Sequence, residues 1–149
     1  MSLTEQIQSD LKEALKSKNE AVVSTLRLLQ AVMKNAEIAK MREKLTEEEI
    51  EKLIKTEIKK RREAVENYRQ GGRPELADKE EGEVKILEKY LPEQMGEDEI
   101  GKIILKVIAE VKPAGPQDFG KVMKAVTAEV KGRADGKTVS EMIKKKLGN

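Results

Sequence analysis

The chain has 149 residues, of which 39% are charged, and its 30 basic and 28 acidic residues leave a formal net charge of +2. It contains no cysteine and no histidine, which excludes disulfide frameworks, zinc ribbons, thiol nucleophiles and histidine bases. The length suits one domain or two small ones, and the balanced charge predicts no particular class of charged partner.

Apolar residues recur at helical spacing from the N-terminus onward. The pair Ser2 and Glu5 has the pattern of a capping box, which predicts that the first helix begins there. Ser17 with Glu20 repeats the pattern at the second helix, with Asn19 as a rival cap, and this helix is expected to end near Arg42. The apolar stripe of the second helix consists of Val22, Leu26, Leu29, Val32, Met33 and Ala36.

The third and fourth helices are bounded by capping, glycine and proline signals. Thr46 and Glu49 predict the start of the third helix, and the adjacent glycines 71 and 72 predict its end. Pro74 suits the first turn of a fourth helix, which Pro92 should end. Because the residue before a proline favours an extended backbone and a new helix follows at once, we expect a domain boundary at residues 91–96.

Three further apolar stripes follow, within residues 100–111, 119–130 and 139–147. β-Branched residues in 103–111 leave a strand open as an alternative, although their spacing favours a helix. Gly132 and Gly148 are expected to be helix C-caps. The sequence therefore predicts an all-α protein, with a four-helix N-terminal domain over residues 1–92 and a three-helix domain over residues 96–149.

Two glycine-containing segments approach the spacing of a phosphate-binding loop. Gly115–Lys121 lacks the final hydroxyl, since Val122 occupies that position, and Gly132–Thr138 is one residue short between its glycines. Neither follows a predicted strand, so both are interpreted as turns. The acidic run Glu47–Glu49 lies in a first helical turn, where carboxylates interact favourably with the helix dipole. No catalytic residue, cofactor site or metal ligand is therefore predicted.

Basic residues are concentrated in two zones of the chain. Residues 52–73 and 120–149 each contain eight basic and three acidic residues. The few aromatic residues are expected in the core, so a nucleic acid would be held by phosphate contacts and shape rather than by base stacking. Lysines that solubilise exposed helix faces would give the same charge pattern, and the composition leaves both interpretations open.

Seven short motifs occur in a consistent order along the chain: Ser24-Thr-Leu-Arg27-Leu-Leu29, Lys34-Asn-Ala-Glu37, Lys60-Arg-Arg-Glu63, Ala77-Asp-Lys-Glu80, Tyr90-Leu-Pro-Glu-Gln94, Phe119-Gly-Lys-Val-Met123 and Lys131-Gly-Arg-Ala-Asp-Gly-Lys137. Together they resemble the YqeY family. In that family, a helical domain precedes a smaller helical domain similar to the C-terminal tail of GatB, the B subunit of the glutamine-dependent tRNA amidotransferase. The resemblance implies that residues 132–137 and the helix after them correspond to this tRNA-contacting tail.

The GatB kinase-like core and the Ser-Ser-Lys amidase signature are both absent, so the resemblance does not imply amidotransferase activity. We therefore expect a tRNA-binding accessory module without intrinsic activity, with six residues as nucleic-acid contacts: Lys131, Arg133, Lys137, Lys144, Arg61 and Arg62. The alternative is an adaptor that docks on amidotransferase or aminoacyl-tRNA synthetase subunits through a helical groove. No DNA or membrane partner is expected. The lack of a long apolar span or a secretory signal also leads us to expect a cytoplasmic protein.

Overall fold

A computed structural model describes residues 1–148, and the prediction of an all-α fold is confirmed, since these residues form seven α-helices and no strand. The helices are α1 (Leu3–Ser17), α2 (Glu20–Ala39), α3 (Glu47–Gln70), α4 (Pro74–Glu88), α5 (Glu97–Val111), α6 (Phe119–Val130) and α7 (Gly136–Lys146). The segment 103–111 is helical, so the strand alternative is wrong. None of the described helices is both long enough and apolar enough to cross a bilayer.

The predicted capping signals explain several of the helix ends. The side chains of Ser2 and Thr46 each accept a hydrogen bond from the backbone N–H three residues later. The glutamate carboxylate at that position accepts one from the backbone N–H of Ser2 or Thr46, which completes two capping boxes. After α3, Gly72 adopts a φ of 72°, a left-handed conformation that glycine enters at little cost. Pro74 is the first residue of α4, where its missing N–H removes no helical hydrogen bond.

Two predicted features of the α1–α2 region are wrong. Asn19 caps α2 by accepting a hydrogen bond from the Val22 N–H at 3.3 Å, whereas Ser17 is the last residue of α1 and caps nothing there. The helix α2 ends at Ala39 rather than near Arg42. The physical reason is the backbone of Met41 and Arg42, whose φ angles of 58° and 66° cannot continue a right-handed helix.

Three other helix ends also differ from the prediction. The C-cap of α7 is Leu147 rather than Gly148, which follows it with a φ of 84°. The helix α4 ends at Glu88, and turn residues 89–91 separate it from Pro92. At the end of α6, the C-cap is Lys131 rather than Gly132, because Lys131 already has a left-handed φ of 45°. Gly132, with a φ of 80°, continues the turn that Lys131 begins.

The chain divides into two compact units, Met1–Leu91 and the remainder from Pro92. We propose that each unit is an independently folding domain. The core of the first unit is formed by Leu3, Ile7, Leu26, Leu29, Met33, Ile50, Ile54, Ile58, Val84, Leu87 and Tyr90. The buried Tyr90 hydroxyl donates a hydrogen bond to Asp10 Oδ2 at 2.5 Å, which links the chain just after α4 to α1. Burial, followed by this hydrogen bond, raises the pKa of Tyr90, so the phenol stays protonated.

The second unit has its own core, contributed by one apolar face from each of α5, α6 and α7 and by Ala134 in the turn between α6 and α7. It consists of Ile100, Ile104, Val107, Val122, Val126, Val130, Ala134, Val139 and Ile143. A 3-10 turn, Pro116–Asp118, leads into α6. The loop from α6 to α7 is short and carries Lys131 and Arg133, so the packing of these two helices determines where those residues lie.

Candidate nucleic-acid interface

The turn between α6 and α7 begins with an exposed lysine in a strained backbone conformation. The Lys131 N–H donates a hydrogen bond to the Thr127 carbonyl at 3.1 Å. The left-handed φ of Lys131 ends α6 in the way that a glycine usually does. A left-handed conformation costs a non-glycine residue about 1–2 kcal/mol. Lys18 and Lys112 end α1 and α5 with the same left-handed backbone, so this strain belongs to the helix end and does not by itself indicate a function.

Arg133 ties this turn to the segment before α5. Its Nε donates to the Glu93 carbonyl at 2.8 Å, and a terminal nitrogen of its guanidinium lies 3.7 Å from a Glu99 carboxylate oxygen. The Arg133 carbonyl accepts a hydrogen bond from the Met95 N–H at 2.8 Å. Its side chain is 38% exposed, so part of the guanidinium faces solvent. The main role of Arg133 is therefore to hold the turn in place. Only part of its guanidinium is accessible to a ligand.

The start of α7 is left without a side-chain cap. Asp135 occupies the N-cap position, but its carboxylate accepts the Thr138 hydroxyl at 3.3 Å rather than a backbone N–H. The first backbone N–H groups of α7 thus donate no hydrogen bond to the side chain of the N-cap residue. Such amides, at the positive end of the helix dipole, favour negatively charged groups. Lys137 is exposed in the same turn.

Lys144 lies further along α7 than the other predicted contacts in this unit. It follows Lys137 by seven residues, which places it on the same helix face about 10 Å away along the axis. Its ammonium is 5.6 Å from the centre of the Phe119 ring, a cation–π arrangement. Glu141 comes between the two lysines on this face and reduces its positive potential. Lys131, Arg133 and Lys137 are therefore grouped at the start of α7, and Lys144 lies near its end.

The predicted contacts in the first basic zone face in different directions. The side chain of Arg61 is only 12% exposed, and its guanidinium lies 3.5 Å from carboxylate oxygens of both Glu57 and Glu83. Arg62, the next residue, is 65% exposed and pairs with Glu88 at 2.6 Å. The Arg61 Nε is buried and makes no hydrogen bond of good geometry, although Glu83 is near. Arg61 is therefore mostly buried in the first unit, where it pairs with Glu57 on its own helix and with Glu83 on α4.

The carboxyl of Glu80, on α4, has a raised pKa. Burial is the main cause, and the negative charge of Glu83 and a hydrogen bond to it add to the effect, while Arg61 and Lys79 oppose it. A carboxyl whose pKa is raised by folding costs stability when it ionises, so this cost is absent at low pH and grows as pH rises through the raised pKa.

We therefore expect Glu80→Gln to stabilise the protein modestly at pH 7, because glutamine carries no charge to bury. The gain should disappear as the pH is lowered below the ordinary glutamate pKa of about 4.3, because Glu80 then becomes protonated in both states. Urea unfolding of parent and variant at a series of pH values measures this difference. A constant difference across the series would show that the ionisation of Glu80 is not the cause.

The two segments that approach phosphate-loop spacing are turns that follow helices. In the first, the Ala114 N–H donates to Asp118 Oδ2 at 2.8 Å, and the chain passes through the 3-10 turn into α6. The second is the α6–α7 turn. Within residues 1–148, no group of three or more acidic side chains is arranged to hold a metal ion.

Comparison with known proteins gives one family, described as Yqey-like protein, whose profile matches residues 4–147. A fungal relative from Pyrenophora tritici-repentis, named altered inheritance of mitochondria protein 41, is 33% identical over 146 residues, which cover 95% of this chain and 79% of that protein. An uncharacterized protein of Schizosaccharomyces pombe is 34% identical over 89 residues, which cover 58% of this chain and 70% of that protein.

A third relative, the Lachancea thermotolerans protein of the same mitochondrial name, is 29% identical over 112 residues, covering 74% of this chain and 60% of that protein. The expectation of a cytoplasmic protein is wrong by this comparison, because four of the matched relatives are named as mitochondrial. That expectation rested on the lack of an apolar span and of a secretory signal, and neither feature distinguishes the cytoplasm from an organelle reached by another route.

Proposed function

This chain belongs to the YqeY family, and from that membership we propose that it is a non-catalytic RNA-binding module whose ligand is a folded RNA of the tRNA class. The observation that supports the proposal is the grouping of Lys131 and Lys137 at the uncapped start of α7. Two exposed ammonium groups beside free helix-start amides offer phosphate oxygens both charge and hydrogen bonds. The resemblance of this part of the chain to the GatB tail supports tRNA as the ligand.

The aromatic side chains of this protein favour recognition of an RNA by its phosphate backbone and its shape. Of the three aromatic residues, Tyr90 is buried and hydrogen-bonded, Phe119 is half-buried with the Lys144 ammonium over its ring, and Tyr68 is half-buried on α3. None of them is a fully exposed ring of the kind on which bases stack. This surface can therefore bind an RNA through phosphate contacts, mainly those of Lys131 and Lys137, with a lesser part for Lys144 and Arg133. Such contacts would favour the shape of a folded RNA over a base sequence. Arg62, which belongs to the first unit, would be a separate phosphate contact.

The test uses Lys131→Gly, a substitution that removes the ammonium and relieves the strained backbone at once. We expect the variant to be as stable as the parent or more stable, because glycine accepts the left-handed φ without the cost of about 1–2 kcal/mol. Its affinity for unfractionated tRNA at 0.1 M salt should fall by about fivefold to tenfold, the loss of one phosphate contact. Fluorescence anisotropy and thermal unfolding measure the two effects on the same sample.

Lys112→Gly is the matched control. Lys112 is also an exposed, left-handed C-cap, at the end of α5, so the same backbone relief is expected without a change in RNA affinity. Lys137→Gln should weaken binding as Lys131→Gly does, and each should lower the slope of log affinity against log salt by about 0.7–0.9. Equal affinity of all three variants and the parent would reject the proposed interface, and salt-independent binding of a protein subunit would favour the adaptor alternative.

A further inference from the structure

The helix α2 presents a solvent-facing stripe that carries no charge, in a chain whose residues are 39% charged. We call this stripe the α2 seam. It consists of Ala21, Ser24, Leu28, Ala31, Asn35 and Ile38, all of them exposed. The opposite face of the helix, which includes Leu26, Leu29 and Met33, is buried in the core of the first unit. The α2 seam is therefore a second uncharged face on one helix.

The spacing within the α2 seam is that of a coiled coil. Successive members are three, four, three, four and three residues apart, which corresponds to alternating a and d positions of a heptad. Its two large members, Leu28 and Ile38, are 53% and 51% exposed. Asn35 falls at an a position, where a single asparagine commonly specifies the register and oligomeric state of a coiled coil. The exposed face of a helix that contacts only solvent does not require uncharged residues at heptad spacing.

We propose that a second copy of this chain packs against the α2 seam as a parallel, two-stranded coiled coil. In that register each seam residue faces its own equivalent, so that Asn35 faces Asn35 of the other copy. The flanking residues favour the parallel arrangement, because Arg27 then faces Val32 of the other copy and Lys34 faces Ala39, with no like charges together.

An antiparallel pair is less favourable. The alignment that places Leu28 opposite Ala31 of the other copy also brings Arg27 close to Lys34 of that copy, and it does so twice because of the twofold symmetry. Like charges at facing flank positions oppose association and help to select partner orientation. The charges beside the α2 seam therefore distinguish between the two orientations, and they favour the parallel one.

The association should be weak. The α2 seam is about 25 Å long, from residue 21 to residue 38, and three of its six members are alanine or serine. One helix face of this length buries less than the roughly 800 Å² per partner of a standard interface. We expect a dissociation constant on the order of 100 μM, so the dimer should form only in concentrated solution.

Sedimentation equilibrium of the full chain between 5 and 500 μM tests self-association. We expect the average mass to rise with concentration for the parent, and to stay at the monomer value for Leu28→Asp. Leu105→Asp is the control, because Leu105 on α5 is also 53% exposed but lies outside the α2 seam. A parent that stays monomeric throughout, or a Leu105→Asp variant that loses association as Leu28→Asp does, would overturn the proposal.

Cysteine cross-linking tests the register, because the chain has no native cysteine. Ala21→Cys should form a disulfide with its own equivalent under mild oxidation, since a parallel register brings the two residues together. In the antiparallel alignment the same two residues would be about 25 Å apart, far beyond disulfide reach. Cross-linking of Ala21→Cys only in a mixture with Ile38→Cys, or no faster than Leu105→Cys alone, would overturn the parallel register.

Discussion

Replacing Arg61 with alanine should lower the free energy of unfolding by about 2–4 kcal/mol, because it removes the partner of two mostly buried carboxylates. Glu57 and Glu83 each have only 12% of their side chains exposed, and both lie against the Arg61 guanidinium. Without that positive charge, they and Glu80 would form a cluster of like charges between α3 and α4. Chemical denaturation followed by circular dichroism measures the change.

The neighbouring residue provides the control. Arg62→Ala should cost less than about 1 kcal/mol, as exposed ion pairs generally do, because its bond to Glu88 lies at the surface. Affinity for tRNA distinguishes the roles of the two arginines, since Arg61→Ala should bind as the parent does once it is folded. If Arg61→Ala were as stable as Arg62→Ala and bound tRNA less tightly, Arg61 would be a nucleic-acid contact rather than a structural ion pair.

The second large effect is expected in the two cores. Ile54 and Ile104 are both fully buried, one in each unit, and truncation of either to alanine should cost about 2–5 kcal/mol. If the two units are independent domains, Ile104→Ala should reduce hydrogen-exchange protection in α5, α6 and α7 and leave α1 to α4 unchanged. Ile54→Ala should give the reverse pattern. Exchange measured by mass spectrometry resolves the two units within one sample.

If each variant lost hydrogen-exchange protection in all seven helices, the chain would be one cooperative domain, and the two-domain proposal would be rejected. Limited proteolysis gives an independent measurement. An exposed connection between independent domains is cleaved first, so the earliest cut is expected within residues 91–97. Early cuts inside α3 or α6 would contradict this expectation.

Sequence patterns predicted the helices because the interactions that define helix ends are local. A capping box needs only residues three apart, so Ser2 with Glu5 and Thr46 with Glu49 could be identified without any tertiary contact. Left-handed C-caps were harder to predict. Lysine rarely adopts a positive φ, so the sequence favoured Gly132 as the cap, whereas the backbone already turns at Lys131.

The roles of the basic side chains depend on contacts that the sequence does not show. Arg61 and Arg62 are adjacent in one basic run, yet the rotation of about 100° between successive residues of α3 turns one side chain inward and the other outward. Glu57, four residues before Arg61, gave a local sign of the ion pair, but Glu83 is 22 residues away and could not be assigned. Arg133 is similar, because its partner Glu93 comes from a segment 40 residues earlier.

The α2 seam could have been found in the sequence. The apolar stripe through Leu26 and Met33 accounts for the buried face of α2, and Leu28 and Ile38 remain outside it. Testing these remaining residues for a heptad spacing gives the α2 seam directly. The sequence does not show that this face is exposed, because the packing of α1, α3 and α4 decides which side of α2 is covered.

The hydrogen bond between Asp10 and Tyr90 also bears on how the protein folds during translation. The two residues are 80 positions apart, and Val84, Leu87 and Tyr90 complete the first core from the last part of its unit. A nascent chain that has produced only α1, α2 and α3 leaves Leu26, Ile50 and Ile54 without part of their packing partners. Synthesis proceeds at about 5–20 residues per second, so this apolar surface stays incomplete for seconds. Chaperone contact during that interval would favour a productive fold, and ribosome pausing before residue 90 would prolong the exposure.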